Sequence, residues 1–255
     1  MTARAIGVIS VKGGVGKTIT TCNLGSALAE FGKKVLLVDA DFSSPNLALH
    51  FGIVSPEKTL HHVFTEKATA YEAVLNYGKN LDILPCSLIG EKVNPYLLKE
   101  KLNGLRKMYD YILIDSSPTL NDDMLATIVA SDELLVVTSP DYPTLSATLH
   151  AVKMARKKKT PIVGLVLNKV RGKKFELTAE EIEEASGVGI LGVVRDDVHV
   201  PASVAGTKPT LEHKPRARAS RSFRQIAAAL AGIDYDQSFF GSLRGWFRSR
   251  EQGEE

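Results

Sequence analysis

Short apolar runs alternate with helix-length patterned segments along most of this chain, and that alternation restricts its fold more than any other feature. The runs lie at Ile6–Ile9, Val35–Val38, Leu81–Leu84, Ile112–Ile114, Leu134–Val137, Ile162–Leu167 and Ile190–Val194. Most are continuous in hydrophobicity, as strands buried on both faces of a parallel sheet must be. Between them, Leu24, Leu28 and Phe31 form a helical stripe closed by Gly32, and Tyr96–Leu105, Asp122–Ala130, Leu145–Arg156 and Glu180–Ala185 continue the rhythm. Alternation over about 200 residues predicts an α/β fold: a doubly wound, mostly parallel sheet of about seven to eight strands, with helices on both faces.

Composition narrows the setting. The 255 residues suffice for one such domain, and 44% hydrophobic with 24% charged residues exclude long disorder. No apolar run approaches the roughly 18 residues of a membrane-spanning helix, and glycines interrupt the N-terminus before a signal-peptide core forms. Cys22 and Cys86 are too few for a disulfide scaffold, so a cytoplasmic location is expected. The six histidines show no ligand spacing, and no structural metal is expected. A net charge of +3 decides little about nucleic acid; the distribution of charge matters more.

Residues 10–19, SVKGGVGKTI, join the first predicted strand to the first predicted helix. Gly13, Gly14 and Gly16 let the backbone approach an anion, successive N–H groups point inward, and the helix adds its positive end. Lys17 would then reach the β- and γ-phosphates of a nucleotide, and the Thr18 hydroxyl would hold Mg²⁺. The pattern G-x-x-x-x-G-K-[ST] is not fully met, because Val11 stands where its first glycine belongs.

That departure is informative. KGGVGKT, with its second lysine at Lys12, resembles the deviant Walker A motif of the MinD/ParA family of P-loop ATPases, and the resemblance extends over about residues 4–232. It implies a SIMIBI-type P-loop fold. It also implies ATP and Mg²⁺ as cofactors, with residues 12–19 (Lys12, Gly13, Gly14, Val15, Gly16, Lys17, Thr18 and Ile19) around the nucleotide. In that family the extra lysine reaches the phosphates held by a partner subunit, so Lys12 would act in trans in an ATP-dependent homodimer while Lys17 acts in cis. A lysine at the mouth of a phosphate loop is costly to bury unless an anion compensates it, which agrees in part.

Carboxylates are also required. The second strand runs into VLLVDADFSS, placing Asp39 and Asp41 at its C-terminal end, where open α/β sheets put ligands; alternate residues there point the same way. The resemblance implies that Asp41 orients the attacking water and that Asp39 supports Lys12 or the magnesium shell. Asp115, ending the apolar strand YILID, has the Walker B arrangement of a magnesium-holding carboxylate. The Ser116-Ser117-Pro118-Thr119-Leu120 run after it is closer to the ParA-like form than to members with a glycine there.

The strand Ile162–Leu167 leads into Asn168-Lys169-Val170-Arg171, where a GTPase would carry Asn-Lys-x-Asp. Arg171 accepts no hydrogen bonds, so guanine is unsupported. The resemblance implies that Asn168 contacts adenine and that the Arg195-Asp196-Asp197-Val198 loop covers it.

Residues 206–224 read as a basic loop leading into a helix capped by Ser220 or Ser222 and ending near Gly232. The ATPase domain is expected over residues 1–233 and a tail over 234–255. In SFFGSLRGWFRSR, Phe239, Phe240, Leu243, Trp246 and Phe247 fall within an arc of about 120° on a helical wheel, with Arg244 and Arg248 flanking or opposing it. This describes an interfacial helix for a membrane surface, as in MinD proteins, or a helix docked on its own domain or on a partner. Lys157, Lys158 and Lys159, with Arg216, Arg218, Arg221 and Arg224, are the cations that a ParA-like protein would use on DNA; otherwise they are helix-end charge and a solvated face.

The expected function is a MinD-like ATPase, slow without an activating protein, that dimerises on ATP, binds the inner face of the membrane through its tail and positions the division site or another cargo. The alternatives are a ParA-like DNA-partitioning ATPase and, further off, a metabolic P-loop ligase, which would need a substrate pocket of its own.

Overall fold

In this computed structural model, residues 2–87 and 93–235 are described. Eight strands form one sheet: β1 (Arg4–Ile9), β2 (Val35–Ala40), β3 (Leu75–Gly78), β4 (Leu81–Leu84), β5 (Tyr111–Ser116), β6 (Glu133–Thr138), β7 (Ile162–Val170) and β8 (Ile190–Arg195). The helices are α1 (Lys17–Glu30), α2 (Leu60–Phe64), α3 (Ala70–Ala73), α4 (Leu98–Leu102), α5 (Asp122–Ala130), α6 (Tyr142–Lys158), α7 (Ala179–Ser186), α8 (His199–Ala205), α9 (Thr210–His213) and α10 (Arg218–Ala231). The strand order is β3-β4-β2-β5-β1-β6-β7-β8, parallel throughout except for the β3–β4 hairpin at one edge.

The buried strands β2 and β5 have no exposed residue, which is why their sequences carry no alternation. One face of the sheet packs Ile6, Val8, Leu37 and Leu113 against α1 and α10, whose Leu24, Leu28, Phe223 and Ile226 are fully enclosed. The other face is covered in two groups. Leu36, Val38, Ile112 and Ile114 meet α2 and α4, while Ile9, Leu134, Val136 and Leu165 meet α5, α6 and α7. The doubly wound sheet is thus present, with every parallel strand pointing its C-terminal end to the same edge.

The structure corrects three local expectations. Strand β3 was not anticipated, because its half-exposed Leu-Asn-Tyr-Gly offers no apolar run. The expected helix Tyr96–Leu105 is broken into a 3-10 turn at Pro95–Leu97, α4, and a second 3-10 turn at Leu105–Lys107. Ser220 and Ser222 do not cap the last helix: α10 starts at Arg218 after Ala217, and Ser220 is buried inside it, its hydroxyl donating to the carbonyls of Thr210 and Lys214. The basic stretch before α10 also holds α9, which packs against α1. Gly232 ends α10 in the left-handed conformation expected of a helix-closing glycine.

Candidate functional site

The C-terminal ends of β1, β2, β5, β6 and β7 converge on the loop Ser10–Gly16. Gly14 and Gly16 have φ of 78° and 92°, a region that side chains with a Cβ rarely enter. Gly16 precedes α1 with no side-chain cap, and α1 carries no acidic residue in its own first turn, which leaves its first amides open to an anion. The loop is held from outside. Asn168 Nδ2 donates to the Val15 carbonyl at 2.7 Å, and Lys169 Nζ donates to the Gly14 carbonyl at 2.7 Å. Because N–H and C=O point opposite ways across a trans peptide, these bonds turn the Val15 and Gly16 amides inward. Lys169 takes φ of 60° to make its contact.

Inside the loop, Lys17 Nζ meets Asp115 Oδ1 at 2.8 Å, and both side chains are buried. The same carboxylate accepts the Thr18 hydroxyl at 2.7 Å and the Thr21 hydroxyl at 3.1 Å. Lys17, Thr18 and Asp115 are therefore brought together as the sequence predicts. A hydroxyl facing a carboxylate at the mouth of a phosphate loop is a hard-oxygen donor set suited to Mg²⁺. Thr21, one helical turn beyond Lys17, was not anticipated; its spacing from Lys17 was the available signal.

Asp39 pairs in register with Asp115 on the adjacent strand. It is fully buried, and its carboxylate accepts the amides of Asp41 (3.2 Å), Asn46 (3.0 Å) and Leu47 (3.0 Å). Burial first, then the neighbouring Asp115 charge, pushes its pKa up to about 7. Asp41 is also buried and accepts the amides of Ser43 and Ser44. Burial raises its pKa from the usual carboxylate value.

Lys12 makes no hydrogen bond to Asp39, whose other expected place, beside the magnesium shell, is unaffected. Its ammonium donates to Asp141 Oδ1 at 3.0 Å and Thr144 Oγ1 at 2.7 Å, with about 40% of the Lys12 side chain exposed. Asp141 caps α6 by accepting the Thr144 amide at 2.9 Å. Burial opposes its charge, but bonds from Ser139, Thr144 and Lys12 outweigh burial and hold its pKa down to about 2. The sequence reading missed Asp141 and Thr144, although an Asp-Tyr-Pro helix start just after a strand was a visible signal.

The base-side residues are divided. Asn168 is buried against the phosphate loop. Arg195 ends β8, Asp196 pairs with Arg171 at 2.9 Å, and Val198 is 79% exposed. Asp197 caps two helices, accepting the amides of His199 at 2.9 Å and Ala219 at 3.1 Å. Arg216, Arg218 and Arg221 line an open cleft of about 470 Å³ with Asp196 and Asp197, whereas Arg224 is bound to Glu30 and to the Pro215 carbonyl. Among the described residues no helix is long and apolar enough to cross a membrane. The tail positions Phe239, Phe240, Leu243, Trp246 and Phe247 lie outside the described residues.

Comparison with known proteins adds a separate line. A family profile described as an AAA domain matches residues 3–163. An uncharacterized ATP-binding protein of Methanocaldococcus jannaschii is 32% identical over 237 residues, 92% of this chain and 90% of that protein. The crystal structure of the cell division ATPase MinD of Pyrococcus furiosus superposes with a TM-score of 0.86 at 31% identity, covering 90% of this chain and 99% of the other. The septum site-determining protein MinD of Pyrococcus horikoshii, complexed with Mg-ADP, gives 0.85 at 30% identity over 89% and 96%.

Proposed function

Because this chain belongs to the MinD/ParA family of P-loop ATPases, with ATP and Mg²⁺ as its cofactors, we propose that it is a nucleotide-timed switch: ATP closes two copies face to face, and hydrolysis opens them. The observation that carries this reading is the difference between its two lysines. Lys17 is buried beside Asp115, at the phosphate loop of its own chain. Lys12 lies at the surface, held by Asp141 and Thr144 through a partly exposed pair. An exposed pair of this kind is worth about 0–1 kcal/mol and is readily exchanged for a stronger anion. The triphosphate of a facing copy is such an anion.

Within one copy, the inward amides of the loop and Lys17 bind the β- and γ-phosphates. Thr18 and Asp115 would hold Mg²⁺, which when bound offsets charge on the phosphate oxygens. Asp39 lies beside Asp115 on the adjacent strand, where bound Mg²⁺ would favour its charged form. Asp41 orients the attacking water, its carboxylate aimed by two backbone amides of its own loop. Asn168 spans the loop and the base, and the Arg195–Val198 segment closes over adenine. Lys12 delivers the second cation in trans, so dimerisation and hydrolysis are coupled.

The tail after residue 233 supplies the membrane contact. A single amphipathic helix holds weakly, and two in one dimer hold together, so ATP would time membrane residence on the inner face. An activating protein and a positioned cargo, such as the division site, complete the role. The exposed Arg216, Arg218 and Arg221 favour DNA as a second surface; a salt-dependent electrophoretic shift that appears only with ATP would favour that reading.

Two variants test the proposal. Lys12→Ala is expected to bind ATP with near-native affinity and remain monomeric by light scattering, while the native chain dimerises with ATP. Truncation after Ile233 is expected to abolish ATP-dependent sedimentation with anionic liposomes and leave ATP binding intact. Normal dimerisation and hydrolysis by Lys12→Ala would end the trans role, and undiminished sedimentation of the truncated chain would end the anchor.

A further inference from the structure

The loop that follows β2 carries Asp41, and three consecutive residues in it are fastened in different ways. Asp41 Oδ1 accepts the amides of Ser43 at 3.3 Å and Ser44 at 3.0 Å, both within its own turn. Phe42 packs edge-on against His61 and Phe64, with ring centroids 5.5 and 5.2 Å away. Ser43 Oγ donates to Asp123 Oδ2 at 3.0 Å, in the first turn of α5.

Asp123 is tied in turn to the segment after β5. Asn121 Nδ2 approaches Asp123 Oδ2 at 3.5 Å and Ser117 Oγ at 3.3 Å, and Asn121 Oδ1 caps α5 by accepting the Met124 amide at 3.1 Å. Ser117 stands two residues beyond Asp115. A polar chain thus runs from the Asp41 loop, through Ser43, Asp123 and Asn121, to the strand end that holds Lys17 and Thr18.

The geometry gives this chain a purpose that the local bonds of Asp41 cannot supply. Bonds from Asp41 to its own turn move with the turn. Phe42 anchors one side of the loop in apolar surroundings, and Asp39 holds its two ends through the amides of Asp41, Asn46 and Leu47. The Ser43 hydroxyl supplies the hydrogen bond from the tip of this loop to α5. We propose that the Ser43–Asp123 hydrogen bond is a positioning contact for hydrolysis, fixing Asp41 toward the attacking water and linking its loop to the segment that follows Asp115. This rests on the reading of Asp41 as the water-orienting residue. Asp123 touches neither nucleotide nor water in this account; it acts through Ser43. Small displacements of a water-orienting group cost rate without costing affinity, because the ground state binds through the phosphate loop.

The test is single-turnover ATP hydrolysis and ATP affinity for Ser43→Ala, Asp123→Ala, the double variant, and Asp123→Asn, with Asp41→Ala alongside. Loss of one hydrogen bond predicts hydrolysis slowed about five- to tenfold in each alanine variant. ATP affinity is expected to stay within about twofold, and the double variant to be no slower than either single one. Asp123→Asn keeps an accepting oxygen and is expected to recover most of the rate. The inference is overturned if the single variants hydrolyse at the native rate, if their effects multiply, or if affinity and melting temperature fall in step with rate. If Asp41→Ala itself hydrolyses normally, the reading of Asp41 has failed instead, and the two failures are distinct.

Discussion

The clearest consequence of the site's electrostatics is a pH-dependent gain in stability on replacing Asp39 by Asn. Asp39 is fully enclosed beside Asp115, and its pKa is pushed up to about 7 from an unfolded-chain value near 3.9. The folded state therefore holds a proton there that the unfolded state has released between about pH 4 and 7. Stability contributed by that proton is fully present below pH 3.9 and is lost as pH rises through 7. A difference of about three pH units caps the loss at about 4 kcal/mol. Asn removes the charge, keeps one oxygen for the Asn46 and Leu47 amides, and forfeits the bond to the Asp41 amide, at about 1 kcal/mol. Asp39→Asn should thus go from about 1 kcal/mol less stable than the native chain at pH 4 to about 3 kcal/mol more stable at pH 8, the latter about 6–12 °C in melting temperature for a chain of this size. Urea denaturation of both proteins without nucleotide, at four pH values across that range, measures it. Magnesium with nucleotide should shrink the difference at pH 8, because the cation offsets the native carboxylate. A difference that stays constant from pH 4 to 8, or runs the other way, refutes the assignment of a buried, proton-holding Asp39.

Two further predictions follow from the loop and its surface latch. Gly16→Ala forces a Cβ into the Asn168 amide at a φ of 92°, so it should reduce nucleotide affinity at least about tenfold while barely changing the circular dichroism spectrum; near-native affinity in a nucleotide titration would contradict the strained-loop argument. Asp141→Asn keeps a good helix cap, so stability should change by less than about 0.5 kcal/mol. It loosens Lys12, which keeps its bond to Thr144, and since each of two copies loses an ion pair worth up to about 1 kcal/mol, ATP-dependent dimerisation should tighten by up to about thirtyfold in analytical ultracentrifugation; unchanged or weaker association would show that the pair does not restrain Lys12.

The parts of this molecule legible in sequence are those whose partners lie nearby or whose positions a strand end fixes. The runs at Val35–Val38 and Ile112–Ile114 are readable because both faces are buried and every residue must be apolar. Lys17 and Thr18 are readable because the glycines and the strand–helix junction set their place. Leu75–Gly78 was invisible because an edge strand with a half-exposed face needs neither alternation nor continuity. The misplaced cap at Ser220 has a related cause: the serine pattern signals a helix start, but Asp197, on a distant loop, supplies the carboxylate at that end through the Ala219 amide. A cap borrowed from another element leaves no mark in the local sequence.

The same distinction explains why the Lys12–Asp141 pair leaves no mark in the sequence. Lys12 and Asp141 are separated by 129 residues, and no periodicity connects them. Once the strand order is known, their meeting is forced. β1 lies between β5 and β6, and all three run parallel, so the residues just after β5 and β6 flank the loop just after β1. Asp115 at the end of β5 takes the inner lysine, and Asp141, three residues past β6, takes the outer one. The two lysines of the loop are sorted by which neighbouring strand supplies the acid: the β5 acid is buried and holds Lys17 inside the loop, while the β6 acid sits at the rim and leaves Lys12 partly exposed.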